Sequence, residues 1–183
     1  TQKPDVVASG FAFAENPRWH DGRLWFVDIH GGHVYAMDGA GTLETVATPP
    51  DSPSGIGFMP DGSLLMVAVH DMKIMRWKDG QLTEHADLSH MAKGGLNDML
   101  VDPQGRAYTV QQGFDWRSGE TPVAAALLCA EPDGSVHKAA EGMASGNGMV
   151  LTPDGRTFII AESAACRLSA FDRDEQGRLS NRR

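Results

Sequence analysis

The chain has 183 residues, of which 41% are hydrophobic and 22% are charged, and its formal charge is -8. This acidic balance argues against a nucleic-acid or anionic-membrane partner, because both reward clustered Lys and Arg. No apolar run approaches the roughly 20 residues of a membrane span, and the opening TQKPDVVASG lacks the layout of a signal peptide. The sequence therefore predicts a cytoplasmic globular protein without a nucleic-acid or membrane partner.

Turn signals recur along the chain in two interleaved series. The first series is His20-Asp21-Gly22-Arg23, Pro60-Asp61-Gly62-Ser63, Pro103-Gln104-Gly105-Arg106 and Pro153-Asp154-Gly155-Arg156, each followed by an apolar run. The second series falls midway between these and consists of Asp38-Gly39, Asp79-Gly80, Asp133-Gly134 and Glu175-Gln176-Gly177. The first series repeats every 40 to 50 residues or so, the length of a four-stranded propeller blade with two hairpins.

The repeat predicts an all-β fold, a β-propeller of four-stranded antiparallel blades, with residues 1–183 as a single domain. Residues 83–93, ended by Gly94-Gly95, form the one helix-compatible stretch, and residues 121–130 are predicted as a strand. We expect the aromatic side chains beside the strand runs to pack between blades: Trp19, Trp25, Phe26, Phe58, Trp77 and Phe158. Four units fill the chain, and repeats alone leave open a complete four-bladed propeller or part of a larger one.

Polar residues occupy one position of the repeat, just before the first turn of each unit. Counting back from those turns aligns Ser54, Asn97 and Asn147, with Glu15 in the first unit. The innermost strand of a blade lines the central channel, so equivalent residues meet around one axis. Carboxylate and amide oxygens suit a hard divalent cation, although Asn-Gly and Asn-Asp also occur simply as turn formers.

Four segments carry a family resemblance: FAENPRWHDGRLWFVDIHGGHVY, GGLNDMLVDPQGRAYTV, SGNGMVLTPDGRTFIIAES and LSAFDRDEQGRLSNRR. They resemble the regucalcin/gluconolactonase family of six-bladed propeller lactonases along essentially the whole chain. The resemblance implies one divalent metal ion in the channel, Ca²⁺ first, with Zn²⁺, Mg²⁺ or Mn²⁺ as alternatives. Its implied ligands, which are also the predicted catalytic residues, are Glu15, Asn97 and Asn147.

The resemblance also implies that the propeller is incomplete. The family's remaining ligand, an aspartate of a later blade, has no counterpart here, and family members continue for about two further blades. We therefore expect four blades of a six-bladed parent, which need the remaining blades or a second copy to close the ring.

Substrate contacts are implied by the same resemblance. Lactonases for sugar acids carry an Arg two positions before the Asn of the LND motif, and Gly95 stands there in this chain. An acidic substrate contact of the family corresponds to Asp115, and Asp98 is a second candidate for substrate binding or general base. Residues 111–121 form a predicted lid-like insertion, in which Phe114 and Trp116 either line an apolar wall or pack the loop.

These observations predict a divalent-metal-dependent hydrolase of a cyclic ester, in which metal-activated water attacks a small lactone or ester. The alternatives are a phosphotriesterase-type hydrolase on the same metal site and a non-catalytic propeller that binds a partner or calcium. No G-x-S-x-G or H-E-x-x-H motif points to a serine hydrolase or a zinc protease. Cys129 and Cys166 are too few for a disulfide framework, and we predict two buried free thiols.

Overall fold

The computed structural model describes residues 4–183, apart from the side chain of Trp116. Sixteen strands lie in this range: β1 (Ala14–His20), β2 (Arg23–Asp28), β3 (His33–Met37), β4 (Leu43–Ala47), β5 (Pro53–Phe58), β6 (Leu64–Ala68), β7 (Lys73–Lys78), β8 (Gln81–Asp87), β9 (Leu96–Val101), β10 (Ala107–Gln111), β11 (Ala125–Ala130), β12 (Val136–Met143), β13 (Gly146–Leu151), β14 (Thr157–Glu162), β15 (Arg167–Arg173) and β16 (Leu179–Ser180). Two short 3-10 helices, Trp116–Ser118 and Ser163–Ala165, complete the regular structure. Neither helix in the described chain has the length or apolar character needed to cross a bilayer.

The strands form four separate antiparallel sheets of four, each a simple meander in chain order. The first strands of successive sheets lie side by side, because β1 contacts β5, β5 contacts β9 and β9 contacts β13. The first turn series joins the first and second strands of each sheet, and the second series joins the third and fourth strands. The predicted all-β propeller of four-stranded blades is thus confirmed, with blades 1 to 4 in chain order.

Each pair of neighbouring blades encloses its own apolar core. The core between blades 1 and 2 is built around Val27, Val34 and Ile56, and the one between blades 2 and 3 around Leu65, Ile74 and Leu128. Between blades 3 and 4 the buried set is Tyr108, Val110, Leu127, Cys129, Met143, Met149, Phe158, Ile160 and Phe171. Blade 3 is buried on both faces because side chains of a strand point alternately to opposite sides of the sheet.

Three local expectations change in the structure. Residues 83–93 contain no helix, since β8 pairs with β7 and sets Leu82 opposite Trp77, and this cross-strand packing outweighs local helix propensity. Trp19 is 70% exposed because its neighbour His20 faces blade 2, so that Trp19 points the other way. Cys166 is exposed at the turn after the second 3-10 helix, whereas Cys129 is buried as predicted.

Candidate active site

Every first strand carries a β-bulge at the same place in its pairing with the second strand. The bulges lie between Glu15 and Arg18, Pro53 and Ile56, Leu96 and Met99, and Gly146 and Met149. The register therefore makes one set of residues equivalent in the four blades: Asn16, Ser54, Asn97 and Asn147. Bulges change the direction of side chains and are common next to functional sites. Here the bulge places a polar residue at the same position of every blade, next to the channel.

The register corrects the predicted equivalence of Glu15. Glu15 pairs with Val27 and precedes the true counterpart, Asn16, by one residue. The reason is the first hairpin of blade 1, where Asp21-Gly22 alone connect β1 to β2. In blade 2 the longer turn 59–63 makes this connection, so counting back from the turn does not give the register of blade 1.

Asn97 and Asn147 line one cavity of about 330 Å³ between blades 3 and 4. The other lining residues are Gln111, Gln112, Phe114, Ser145, Gly146 and Ser163. Asn97 donates from Nδ2 to the Gly146 carbonyl at 3.4 Å, and Asn147 Oδ1 accepts the Gly148 amide at 2.9 Å. The cavity wall is therefore uncharged, with amides, hydroxyls and one aromatic ring.

Glu15 lies outside this lining, on the blade 1 side of the channel. Its half-buried carboxylate accepts the Asn16 amide at 3.4 Å and borders a mostly apolar groove with Phe11 and Phe26. Asn16 is buried with φ 53°, and its Nδ2 donates to Ser54 Oγ at 3.2 Å. The structure thus brings two of the three predicted ligands to one cavity and places the third on another blade.

Asp98 is buried next to Asn97 and is held by an ion pair that crosses from blade 1. Arg18 donates from Nη2 to Asp98 Oδ1 at 2.6 Å and to the Met99 carbonyl at 2.7 Å. Burial raises the pKa of Asp98, an increase that Arg18 opposes and that the charge of Glu15 reinforces. Asp98 therefore has one oxygen committed to Arg18, and its contact with a substrate stays a prediction.

The segment after β10 contributes to the cavity and to its neighbour. Gln112 and Phe114 line the cavity with the two asparagines, while Asp115 borders an adjacent one of about 370 Å³ with Lys93 and Gly95. The Asp115 carboxylate accepts the Arg117 amide at 2.9 Å and the Ser118 amide at 3.4 Å, so it stabilises the 3-10 turn. Asp115 and Asn97 do not share a cavity wall, and the lid function of the loop stays a prediction.

Glycine is required where this segment meets β9. A Cβ on Gly94 would overlap the Phe114 carbonyl oxygen, and Gly95 has φ +107°. The Gln112 amide donates to the Gly95 carbonyl at 3.0 Å. The position that carries Arg in the sugar-acid lactonases thus has a backbone conformation that favours glycine.

Sequence reasoning missed the hydroxyl and amide residues that complete the wall. Gln111 ends β10 and accepts the Lys93 amide at 2.8 Å, and the Ser163 amide donates to the Ser145 carbonyl at 3.0 Å. Both serines flank the ends of blade 4 strands, and the adjacent Glu162 carboxylate accepts the Ala144 amide at 2.8 Å. The sequence could have indicated Gln111 and Ser163, because each lies at or just after the end of the second strand of a blade. The repeat locates these strand ends.

Four meandering blades around a polar channel, with a cavity at the bulges of the inner strands, define a β-propeller with a channel site. The chain belongs to the SMP-30/Gluconolactonase/LRE-like region family, whose sequence model matches residues 13–183. The resemblance predicted from the motifs is thereby confirmed.

Two relatives are regucalcins, from Gallus gallus and Danio rerio, each 28% identical over 97% of this chain. The chain spans 61% of the length of each. A gluconolactonase structure from Xanthomonas campestris matches with a TM-score of 0.83 at 20% identity, covering 97% of this chain and 63% of that one. A calcium-binding regucalcin from Agrobacterium tumefaciens matches with a TM-score of 0.80 at 21% identity, covering 97% and 61%. The two structural matches show the fold.

Proposed function

We propose that this chain is part of a divalent-metal-dependent lactonase that hydrolyses a small cyclic ester in the propeller channel. The observation that carries the proposal is the shared cavity of Asn97 and Asn147, at register-equivalent bulges of two neighbouring blades. Family membership supports the same activity, and one structural relative is named a gluconolactonase.

The donor set of the chain fits a hard divalent cation, because it consists of oxygen atoms. Asn97 uses its amide nitrogen for the Gly146 carbonyl, which leaves Oδ1 as a possible ligand. Asn97, Asn147 and Glu15 would hold the ion, with the remaining ligand supplied by the part of the protein beyond these residues. When bound, such an ion polarises an ester carbonyl and lowers the pKa of a coordinated water, as Ca²⁺ or another divalent metal can.

The cavity wall is proposed to bind and orient the substrate. Gln111, Ser145 and Ser163 offer donors and acceptors to ring hydroxyls, and Phe114 offers an apolar face. The ion pair with Arg18 fixes the Asp98 carboxylate in the channel lining, next to Asn97. A lactone ring without a formal charge suits this wall better than an anionic substrate, since no cationic side chain lines it among the described residues.

The whole protein would supply the rest of the ring. The chain spans 61% of its regucalcin relatives, which supports the inference that further blades complete the channel and the metal site. The cytoplasmic location stays a proposal.

The test is hydrolysis of glucono-lactone by the full-length protein with Ca²⁺ or with a chelator. We expect the chelator to abolish turnover and Asn147→Ala to lower kcat/KM by about a hundredfold, because each loses part of the electrostatic stabilisation of the reaction. Asn181→Ala is the matched control, since Asn181 is exposed and contacts Asp172 on the outer edge of blade 4. Glu15→Gln should weaken Ca²⁺ binding, whereas Glu141→Gln, which changes an exposed side chain on β12, should not.

Full turnover in the presence of chelator, or in Asn147→Ala, would remove the metal mechanism. Ca²⁺ binding without hydrolysis would favour a calcium-binding propeller, the character named for the Agrobacterium relative. Turnover of a phosphotriester in preference to the lactone would favour the phosphotriesterase alternative.

A further inference from the structure

Three side chains with metal-ligating atoms meet on the outer hairpin of blade 3, which β11 and β12 form. Cys129 pairs directly with His137 across the hairpin, so their side chains lie on the same face. Glu131 follows Cys129 by two residues and shares that face. The Cys129 sulfur, a Glu131 carboxylate oxygen and an imidazole nitrogen of His137 all lie within 4.8 Å of one another.

The Glu131 carboxylate is oriented by its neighbours. Arg106 donates from Nε to Glu131 Oε2 at 3.2 Å, while Oε1 faces His137 Nδ1 at 3.7 Å. One carboxylate oxygen is thus fixed by a guanidinium and the other is presented to the imidazole. Hydrogen bonds of this kind hold metal ligands in position in known sites.

The group is accessible from one side and closed on the other. The His137 side chain is 48% exposed, whereas Cys129 is buried in the core between blades 3 and 4. The contact described for the thiol is a weak one to the Ala130 carbonyl, at 3.9 Å. Solvent therefore borders the group on the His137 side, and the sulfur of Cys129, which is 1% exposed, lies at its inner end.

We propose that this hairpin binds Zn²⁺ through Cys129 Sγ, Glu131 Oε1 and His137 Nδ1, at a site separate from the channel. Zinc binds sulfur at about 2.3 Å and nitrogen or oxygen at about 2.0 to 2.2 Å, so its ligands stand roughly 3.2 to 3.8 Å apart. The oxygen–nitrogen separation is 3.7 Å, and the sulfur lies within 4.8 Å of both atoms, so the ligands have to draw together around the ion.

The ligand chemistry separates this site from the channel. A thiolate and an imidazole select a borderline metal such as zinc, whereas the channel offers oxygen atoms that suit calcium. The thiolate and the carboxylate balance the two positive charges of the ion, and water can fill the fourth position. Burial raises the pKa of the Cys129 thiol to about 12, so binding releases the thiol proton to the buffer.

A Zn²⁺ ion bound at this site would cross-link the two strands of the hairpin. Cys129 lies on β11, His137 lies on β12 and Glu131 lies in the turn between them. A bound ion therefore links the two strands in addition to their backbone hydrogen bonds. All three belong to blade 3, and the site does not depend on the channel or on the lactonase proposal.

The test is a titration of the protein with Co²⁺, which replaces Zn²⁺ and reports its ligands by absorption. We expect a thiolate-to-cobalt charge-transfer band that excess Ca²⁺ does not remove and that one equivalent of Zn²⁺ abolishes. Cys129→Ser should lose the band. Cys166→Ser is the matched control, since the second thiol is exposed in blade 4, and it should keep the band.

Two further variants keep the test decisive if Cys129→Ser folds poorly. His137→Gln and Glu131→Gln change partly exposed side chains, and each should weaken Zn²⁺ binding at least tenfold or so while circular dichroism stays unchanged. Absence of the band in the unmodified protein would overturn the proposal. So would a band that Cys166→Ser abolishes, or Zn²⁺ affinity unchanged in both His137→Gln and Glu131→Gln.

Discussion

The two faces of blade 3 are packed in different ways. Towards blade 2 the interface is an apolar core in which β5 and β9 approach so closely that Gly55 lies against the backbone of Met99. Towards blade 4 an apolar core is bordered by a buried charge cluster, in which the Asp102 carboxylate accepts from Arg106 and Arg173. One face therefore depends on backbone proximity and the other on paired charges.

This difference determines which kind of substitution destabilises each interface. Removing one member of a buried ion pair leaves an uncompensated charge, which costs more than losing a few apolar contacts. An apolar interface with close backbones instead fails by overpacking, when an added atom has no room. Substitution of Asp102 therefore tests the loss of a buried charge partner, and substitution of Gly55 tests overpacking.

The largest effect is expected for Asp102→Ala at the interface of blades 3 and 4. Asp102 is fully buried, and its loss leaves Arg173 without its carboxylate and Arg106 with Glu131 alone. We expect the free energy of unfolding to fall by about 3 to 5 kcal/mol, measured by urea titration. Asp172→Ala is the control, because Asp172 forms an exposed pair with Arg183 and should change stability by about 1 kcal/mol or less. Equal losses in the free energy of unfolding would show that the buried cluster contributes no more to stability than an exposed ion pair.

A smaller loss is expected for Gly55→Ala at the interface of blades 2 and 3. A Cβ at this position would overlap the Met99 nitrogen and lie 2.5 Å from the Asp98 carbonyl carbon, and backbone atoms of two paired blades cannot move aside cheaply. We expect a loss of about 2 kcal/mol in the free energy of unfolding, as for other overpacked sites. Gly39→Ala is the control, since no atom lies within 4 Å of a Cβ there. Unchanged stability of Gly55→Ala would mean that the inner strands can separate freely.

The third effect concerns one hydrogen bond between blades 3 and 4. Tyr108 is fully buried, and its hydroxyl donates to the Gly177 carbonyl at 2.7 Å. Tyr108→Phe removes the buried donor of this hydrogen bond, so we expect a loss of about 1 kcal/mol in thermal or urea unfolding. Tyr35→Phe, in blade 1, serves as the comparison, and a Tyr108 variant no less stable than this one would contradict the prediction.

The fold could be predicted from the sequence further than the site could. Asp-Gly turns act locally, so their recurrence located the hairpins of every blade. Asn97 and Asn147 were found because the repeat and the register agree in blades 3 and 4. Asn16 was missed because the bulge and the short turn of blade 1 set a register that no local signal reveals. The meeting of Cys129 with His137 was also hidden, since it depends on cross-strand pairing.

The smallest effect is a pH dependence at the interface of blades 2 and 3, where His85 faces the outer hairpin of blade 3. Burial lowers the pKa of His85 below its ordinary value of 6.5, and the nearby Arg76 lowers it further. Its buried Nε2 has no hydrogen-bond partner in the described part of the chain, so the fold favours the neutral ring. The unfolded chain takes up the proton more readily, and this group therefore stabilises the fold above pH 6.5 and loses that contribution as the pH falls through the lowered pKa.

His85→Gln should flatten the decline of the unfolding midpoint between pH 7 and pH 5, while exposed His90→Gln should leave it unchanged. A decline equally steep in His85→Gln would assign the acid sensitivity to the carboxylates of the protein instead.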